Sequence, residues 1–177
     1  MILFEREISV IVVRGMDGEL RYYDPIENVH QGGILATSTV PAPIPDDLAY
    51  AAREIAGKIA NALSYVGVLC VEMFQCEGLS PNLVVNEMAP RVHNSGHWTL
   101  DACLVSQFEN HIRAIGGWPL GEPSRHSDAV MINLIGDDVD RWPELAATEG
   151  TALHLYGKAE ARPGRKMGHY TRIVPKR

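Results

Sequence analysis

Hydrophobic positions along the chain fall mostly into short runs of strand type, with two longer stretches that repeat at helical spacing. Ile8-Ser-Val-Ile-Val-Val-Arg14 is β-branched and mostly apolar, which predicts a buried strand. Gly15–Gly18 supplies a turn and Leu20–Tyr23 a returning strand. Asp24–Pro45 is mixed, with a strand expected around Gly33–Ser38. Pro45-Asp46-Asp47 predicts a helix start with an aspartate as N-cap. Leu48, Ala51, Ile55, Ile59 and Ala62 then recur every three to four residues and predict one buried helical face. Gly67–Phe74 reads as the next strand, Gly78–Pro81 as its turn and Asn82–Met88 as its partner. Leu100, Leu104, Phe108, Ile112 and Ile115 mark a second helix, stopped by Gly116-Gly117 and Pro119. Residues 121–128 read as a linker, followed by strands at Ala129–Ile135, Ala152–Tyr156 and Tyr170–Val174 and a short helix around Leu145. Strands in runs, capped by separated helices, predict an α+β fold with a largely antiparallel sheet.

Composition narrows the classes. The chain has 177 residues, which allows one domain or one with a small appendage. With 46% apolar and 21% charged residues it is an ordinary globular mix and not a disordered chain. The 16 glycines and 11 prolines show no period, which excludes collagen-like and repeat architectures. No apolar run approaches the ~18 residues of a membrane span, so no membrane partner is expected. Glu5, Arg6 and Glu7 follow Met1 too closely for a signal-peptide core. Cys70, Cys76 and Cys103 are too few and scattered for a disulfide framework, and Cys70 and Cys103 read as small core residues. A reducing, cytoplasmic compartment is the expectation.

The formal charge of −6 is unevenly spread. Lys158, Arg162, Arg165, Lys166, Arg172, Lys176 and Arg177 face only Glu160 in the last twenty residues, while the rest of the chain is strongly acidic. A basic end on an acidic body suggests an anionic ligand there, and it also reads as a solvated tail. Nucleic acid is not expected, because only Tyr170 is interleaved as an aromatic and no recognition motif is present.

Three clusters carry candidate chemistry. Glu72 and Glu87 are equidistant from the Leu79–Ser80 turn centre, so a symmetric hairpin would oppose them directly. Opposed Cβ atoms lie ~4.5–5.5 Å apart and like charges there repel, so a cation should sit between them. Mg²⁺ suits one or two carboxylates, with water and substrate phosphate at its other positions. A solvated polar face remains the alternative, because a one-residue bulge would break the pairing. Asn86 would point to the opposite face of a regular strand. The second cluster is Met88–Trp98, dense in donors. Arg91 offers a planar fork for a carboxylate or phosphate, and His93, Asn94 and Ser95 add hydrogen-bonding groups. Thr99 would cap the following helix, ending the loop at a positive helix start. His93 and His97 are four apart, which raises zinc as a rival without a third ligand of suitable spacing. The third is Lys158–His169, where Pro163-Gly164 turns the chain and gathers Arg162, Arg165 and Lys166. A phosphate monoester would suit that cluster, with glycine amides adding to a nest; an exposed basic hairpin is the alternative.

Val-Glu-Met-Phe at 71–74, Val-Asn-Glu-Met-Ala-Pro-Arg-Val-His-Asn-Ser-Gly-His-Trp-Thr at 85–99 and Arg-Pro-Gly-Arg-Lys-Met-Gly-His at 162–169 closely resemble the N5-carboxyaminoimidazole ribonucleotide synthases. These are ATP-grasp enzymes of purine synthesis. Residues 4–9, 28–35 and 106–111 resemble the same family, so the likeness runs from Phe4 to about His169. The resemblance implies ATP-dependent carboxylation of 5-aminoimidazole ribonucleotide by bicarbonate, through carboxyphosphate, with ADP and phosphate released. It implies Mg²⁺ at Glu72 and Glu87, and ATP at Glu7, His30, Asn86 and Glu87. It places bicarbonate, carboxyphosphate and the reacting amine at Arg91, His93 and Asn94. Lys158, Arg162, Arg165 and Lys166 would take the ribonucleotide's 5′-phosphate. It further implies an ATP-grasp portion over residues 1–120, a small β-rich C-terminal domain over 121–177, and a homodimer. The chain begins where the family is about halfway through, so an N-terminal domain and the ATP lid are expected to be missing. The alternatives are a non-catalytic nucleotide-binding fragment and another ATP-grasp carboxylate–amine ligase.

Overall fold

The computed structural model describes residues 3–78 and 82–176, so the expected turn centre at Leu79–Ser80 lies outside the described residues. Among the described residues there are nine strands: β1 Arg6–Arg14, β2 Leu20–Tyr22, β3 Ile26–Gln31, β4 Ile34–Val40, β5 Gly67–Gln75, β6 Leu83–Ala89, β7 Ser127–Ile135, β8 Thr151–Leu155 and β9 Lys166–Pro175. All pair antiparallel in one sheet of order β6-β5-β1-β3-β4-β7-β9-β8, with β2 hydrogen-bonded to β1. The α+β class and the largely antiparallel sheet are as the sequence predicts.

β1 is central because it is apolar on both faces: Ile8, Val10, Ile11, Val12 and Val13 are all inaccessible to solvent. One sheet face packs Ile8, Val10, Val12, Leu69, Val71 and Met73 under helix α1, Asp46–Ala62. The other packs Ile11, Val13, Tyr23, Val68 and Cys70 under Trp98, Ala102 and Ala114. The inner line of α1 is Ala52, Ala56 and Ala60, with Leu48, Ala51, Ile55 and Ile59 flanking it. The expected face is therefore rotated by one position, and Ala62 is exposed. Alanines let the helix approach the sheet closely, and the larger side chains seal its edges. No aspartate caps the helix. Pro45 is the N-cap residue, and Asp46 and Asp47 lie in the first turn, where they still favour the helix dipole.

Two further elements differ from expectation. β3 escapes the pattern because its second half, Val29–Gln31, is exposed and breaks the alternation. The second helix is interrupted, with α2 at Thr99–Ala102 and α3 at Gln107–Ile115. Its apolar stripe does not face the core: Leu104 is 83% exposed and Ile112 63%. The buried face of α3 is Gln107, Asn110 and Ala114. Asn110 is affordable there because it is fully bonded, to Tyr23 Oη, to the Gly121 carbonyl and to the Gly121 amide. A fourth helix, α4 Trp142–Ala146, follows a 3₁₀ turn at Gly136–Arg141 and packs Leu145 with Leu134 and Tyr170. Among the described residues no helix is long and apolar enough to cross a membrane.

Candidate functional site

The β5–β6 hairpin brings the two glutamates opposite one another: Cys70 faces Ala89, Val71 faces Met88 and Glu72 faces Glu87. The register then slips, so that Met73 faces Val85 and Asn86 is the extra residue. The bulge falls just beyond the pair and leaves it intact. It also corrects the expectation for Asn86, which lines the same cleft as Glu72, together with Glu7, Asn28 and His30. An extra residue in one strand re-aims its side chain. Glu72 is half-buried and its carboxyl pKa is raised, first by loss of solvent and next by Glu87. Facing carboxylates disfavour each other's charged form, and a cation between them would offset that repulsion. The donor set is hard oxygen, two carboxylates with a side-chain amide in the same cleft, which fits Mg²⁺.

Glu7, on β1, is in hydrogen-bond contact with His30 Nδ1 on β3 at the rim of this cleft. Beside it Phe4 stacks on Phe74 with ring centroids 4.4 Å apart, making an aromatic wall.

The loop after β6 folds back over the sheet. His93 has extended backbone and Asn94–Gly96 forms a 3₁₀ turn. His93 Nε2 lies 3.5 Å from Glu72 Oε1. Burial lowers its pKa to about 4, helped by Arg91 and Lys166 nearby. Asn94 donates to Asn133 Oδ1 on β7 at 3.0 Å and accepts from Asn133 Nδ2 at 2.8 Å, and Asn133 also donates to the Leu35 carbonyl on β4. Arg91 is exposed, with one guanidinium nitrogen donating to the Val92 carbonyl. Gln107 at the start of α3 clamps the loop: its Oε1 accepts from His93 N, and its Nε2 donates to His93 O at 2.7 Å. Gly96 is required beneath that clamp, since a Cβ there would sit 2.8 Å from the Gln107 amide. Thr99 does not cap α2. Its hydroxyl donates to the Gly96 carbonyl and accepts the first amide of α3, from Gln107.

His93 Nδ1 accepts from the Ser95 amide, and His97 Nδ1 faces Gln107 Nε2. Among the described residues two three-residue groups have ligand spacing, Cys70–Glu72–His93 and Asp101–His154–His169, and neither holds the His93–His97 pair that raised zinc. The second is unsuited to an ion. The His154 and His169 rings stack at 4.5 Å and 13°, so their in-plane lone pairs cannot converge.

The basic bend is as expected: Arg165 N bonds to Arg162 O across Pro163-Gly164, and Gly164 has φ +78°. Lys166 opens β9 and is half-buried. Loss of solvent lowers its ammonium pKa, while Glu72 pulls it up and Arg91 and Lys158 push it down. The basic bend and the acidic pair are therefore in electrostatic contact. Lys158 donates to the Lys166 carbonyl at 2.6 Å and lies over the Tyr156 ring. Arg165 donates to the Glu160 carbonyl. Arg162 is exposed and tied to the Glu160 carboxylate at 2.5 Å, so it is the least available of the four. Gln107, Asn133 and Tyr156 escape sequence reasoning because nothing local marks a polar residue whose partners lie on other elements.

A model of the ATP-grasp domain matches residues 1–108, and one of the phosphoribosylaminoimidazole carboxylase C-terminal domain matches residues 129–177. An N5-carboxyaminoimidazole ribonucleotide synthase of Brucella melitensis is 57% identical over 98% of this chain and 47% of its own length. The Bacillus subtilis protein of that name is 47% identical over 95% and 44%. Among solved structures, an N5-carboxyaminoimidazole ribonucleotide synthetase in complex with ADP matches with TM-score 0.93 and 43% identity, over 98% of this chain and 46% of that one. The Aspergillus clavatus synthase with ADP and 5-aminoimidazole ribonucleotide matches with TM-score 0.93 and 35% identity, over 99% and 48%. The chain spans about half the length of the curated relatives it matches.

Proposed function

The chain belongs to the ATP-grasp family, and from that membership we propose that it is the metal- and substrate-holding part of an N5-carboxyaminoimidazole ribonucleotide synthase. The reaction is the ATP-dependent carboxylation of 5-aminoimidazole ribonucleotide in de novo purine biosynthesis, in the cytoplasm. The observation that carries this reading is the gathering of groups around Glu72: Glu87 directly opposite it, His93 Nε2 at 3.5 Å, and Lys166 close enough to feel both Glu72 and Arg91. An acyl phosphate needs all three: a metal position, donors for a carboxylate, and cations for a phosphate dianion.

In this reading residues 1–120 form the ATP-grasp portion and 121–177 the small C-terminal domain. Bicarbonate oxygen attacks the γ-phosphorus of ATP, ADP leaves, and carboxyphosphate results. The amine of the ribonucleotide then attacks the carboxyl carbon, inorganic phosphate departs with the carbon–oxygen bond electrons, and the proton the amine loses goes to that phosphate. Glu7, His30 and Asn86 hold the nucleotide. Glu72 and Glu87 hold Mg²⁺, which when bound offsets the charge of the transferring phosphoryl group. Arg91 and Asn94 orient bicarbonate and carboxyphosphate, and His93 sits between them and the metal position. Lys158, Arg165 and Lys166 take the 5′-phosphate, with Arg162 in a lesser role. The catalytic contribution is positioning and charge stabilisation. The remaining half of the relatives carries the ATP lid in this reading, and the working assembly is a homodimer.

Calorimetry tests the proposal. The chain should bind 5-aminoimidazole ribonucleotide and bind the corresponding unphosphorylated nucleoside at least tenfold more weakly. Equal affinity for the two would overturn the assignment of the basic bend, and no binding of either would overturn the function.

A further inference from the structure

A chain of buried polar side chains runs beneath the loop and ends on His93. Ser38 Oγ on β4 donates to Asn28 Oδ1 on β3 at 2.8 Å. Asn28 Nδ2 donates to Ser9 Oγ on β1 at 2.9 Å. Ser9 Oγ and Ser95 Oγ are 2.9 Å apart, as are Ser95 Oγ and His93 Nδ1. Ser9, Ser38 and Ser95 are wholly inaccessible and Asn28 nearly so. Four polar side chains under an apolar sheet face are costly unless they act together.

Their direction is set at one end. The Ser95 backbone amide, which can only donate, points at His93 Nδ1 at 3.4 Å. That nitrogen is therefore an acceptor and carries no proton. The Ser95 hydroxyl must then donate to it, so Ser95 Oγ must accept from Ser9, and Ser9 Oγ must accept from Asn28. Each step agrees with the donor and acceptor ends of Asn28 and Ser38. The ring's single proton is left on Nε2, the nitrogen facing the Glu72 side of the cleft.

The structure assigns His93 as a fixed Nε2–H hydrogen-bond donor, held in that tautomer by a one-way relay from Ser38 through Asn28, Ser9 and Ser95. His93 is thus unable to take a proton from the incoming amine through Nε2. It instead presents a donor to the oxygen of the carboxylate or phosphate that gathers charge during transfer. Ser95, Ser9 and Asn28 are positioning residues that act through it. The ligand's identity rests on the function proposed above; the tautomer does not.

Long-range nitrogen–proton NMR of the ligand-free chain at pH 8 reads the tautomer directly. The expected result is an unprotonated Nδ1 and a protonated Nε2 for His93. A protonated Nδ1 overturns the proposal. Asn28→Asp, nearly isosteric, makes that position accept from both serines. Ser9 must then turn its hydroxyl away from Ser95, and the Nδ1–H form should become populated at His93. An unchanged tautomer in a folded Asn28→Asp protein means that no relay operates. If that variant does not fold, Ser95→Ala, which keeps only the longer 3.4 Å amide bond to Nδ1, should give a mixture of tautomers and Ser95→Thr should restore the single form; a single Nε2–H form in Ser95→Ala means that the amide alone sets the tautomer and overturns the relay. Adding bicarbonate or inorganic phosphate should move the Nε2 proton signal. With the tautomer confirmed, failure of that shift refutes the ligand assignment and leaves the relay standing.

Discussion

Replacing Glu72 by glutamine should stabilise the metal-free protein and abolish its response to Mg²⁺. The reasoning starts from the register, in which Glu72 and Glu87 are directly opposed. Side chains on such a pair start from Cβ atoms ~4.5–5.5 Å apart. Two like charges ~5 Å apart repel by ~3 kcal/mol at an effective dielectric of ~20 and by ~0.8 kcal/mol at ~80. The Glu72 side chain is 16% exposed and Glu87 is exposed, which places the pair between those limits. Removing one charge should therefore gain ~1–2 kcal/mol. For a chain of this size that is a rise in melting temperature of roughly 2–8 °C. The pH dependence follows from the raised pKa of Glu72. An acid whose pKa is higher in the folded state weakens folding as pH rises through it and has no such effect when both states are protonated. The gap between Glu72→Gln and wild type should be fully open at pH 8 and close toward roughly pH 4. Mg²⁺ should raise the wild-type melting temperature at pH 8 by mass action and leave Glu72→Gln unmoved. Thermal melts in EDTA and in MgCl₂ at the two pH values read all of this. A destabilised Glu72→Gln in EDTA at pH 8, or equal stabilisation of both proteins by Mg²⁺, would refute the metal-clamp reasoning.

Arg165→Ala should weaken ribonucleotide binding by roughly ten- to a hundredfold in calorimetry, the value of ~1.5–3 kcal/mol for a bond to a charged group. Arg162→Ala should change it about threefold or less, because Glu160 already engages that side chain; equal losses would show that the bend acts as a diffuse charge. Gln107→Leu leaves the His93 amide without a partner and the His93 carbonyl with the Gly96 amide alone and should cost ~1–3 kcal/mol in urea unfolding, a loss below ~0.5 kcal/mol meaning that the loop does not depend on the clamp. In Gly168→Ala the new Cβ would meet the His154 carbonyl 2.6 Å away. The variant should lose ~1–3 kcal/mol and speed amide exchange in β8, and unchanged exchange there would show that the two strands part without strain.

The opposed glutamates were legible from a period of two and equal spacing about a turn, although the ladder itself is not symmetric: Met73 pairs with Val85, and the extra residue Asn86 is what brings Glu87 opposite Glu72. The bulge at Asn86 was not, because an extra residue leaves no mark in the order of side-chain types. The α3 stripe shows the other limit. Leu104, Ile112 and Ile115 have the spacing of a core face, yet they are outside, while Gln107, Asn110 and Ala114 are within. Periodicity reports that a helix has two faces. It does not report which face the sheet receives, and here the sheet takes the one whose polar groups find partners. The convergence of the three clusters was carried by family resemblance; spacing alone could not bring Lys166 to Glu72 across ninety-four positions.

The site also explains why the sheet is continuous. The segments matched by the two family models are joined where β4 runs beside β7, Thr37–Val40 against Ile132–Ala129. Just past that joint, Asn133 on β7 is bonded to both Leu35 on β4 and Asn94 of the loop. The loop is thus fixed to the second segment as firmly as Gln107 fixes it to the first. β9, whose first residue is Lys166, pairs along the whole of β7. Any shift of the basic bend relative to the glutamates would have to break this strand pairing together with the Asn94–Asn133 bonds. The distance between the two glutamates and the basic bend is therefore set by the sheet. Arg91, which is exposed, is a side chain left to adjust.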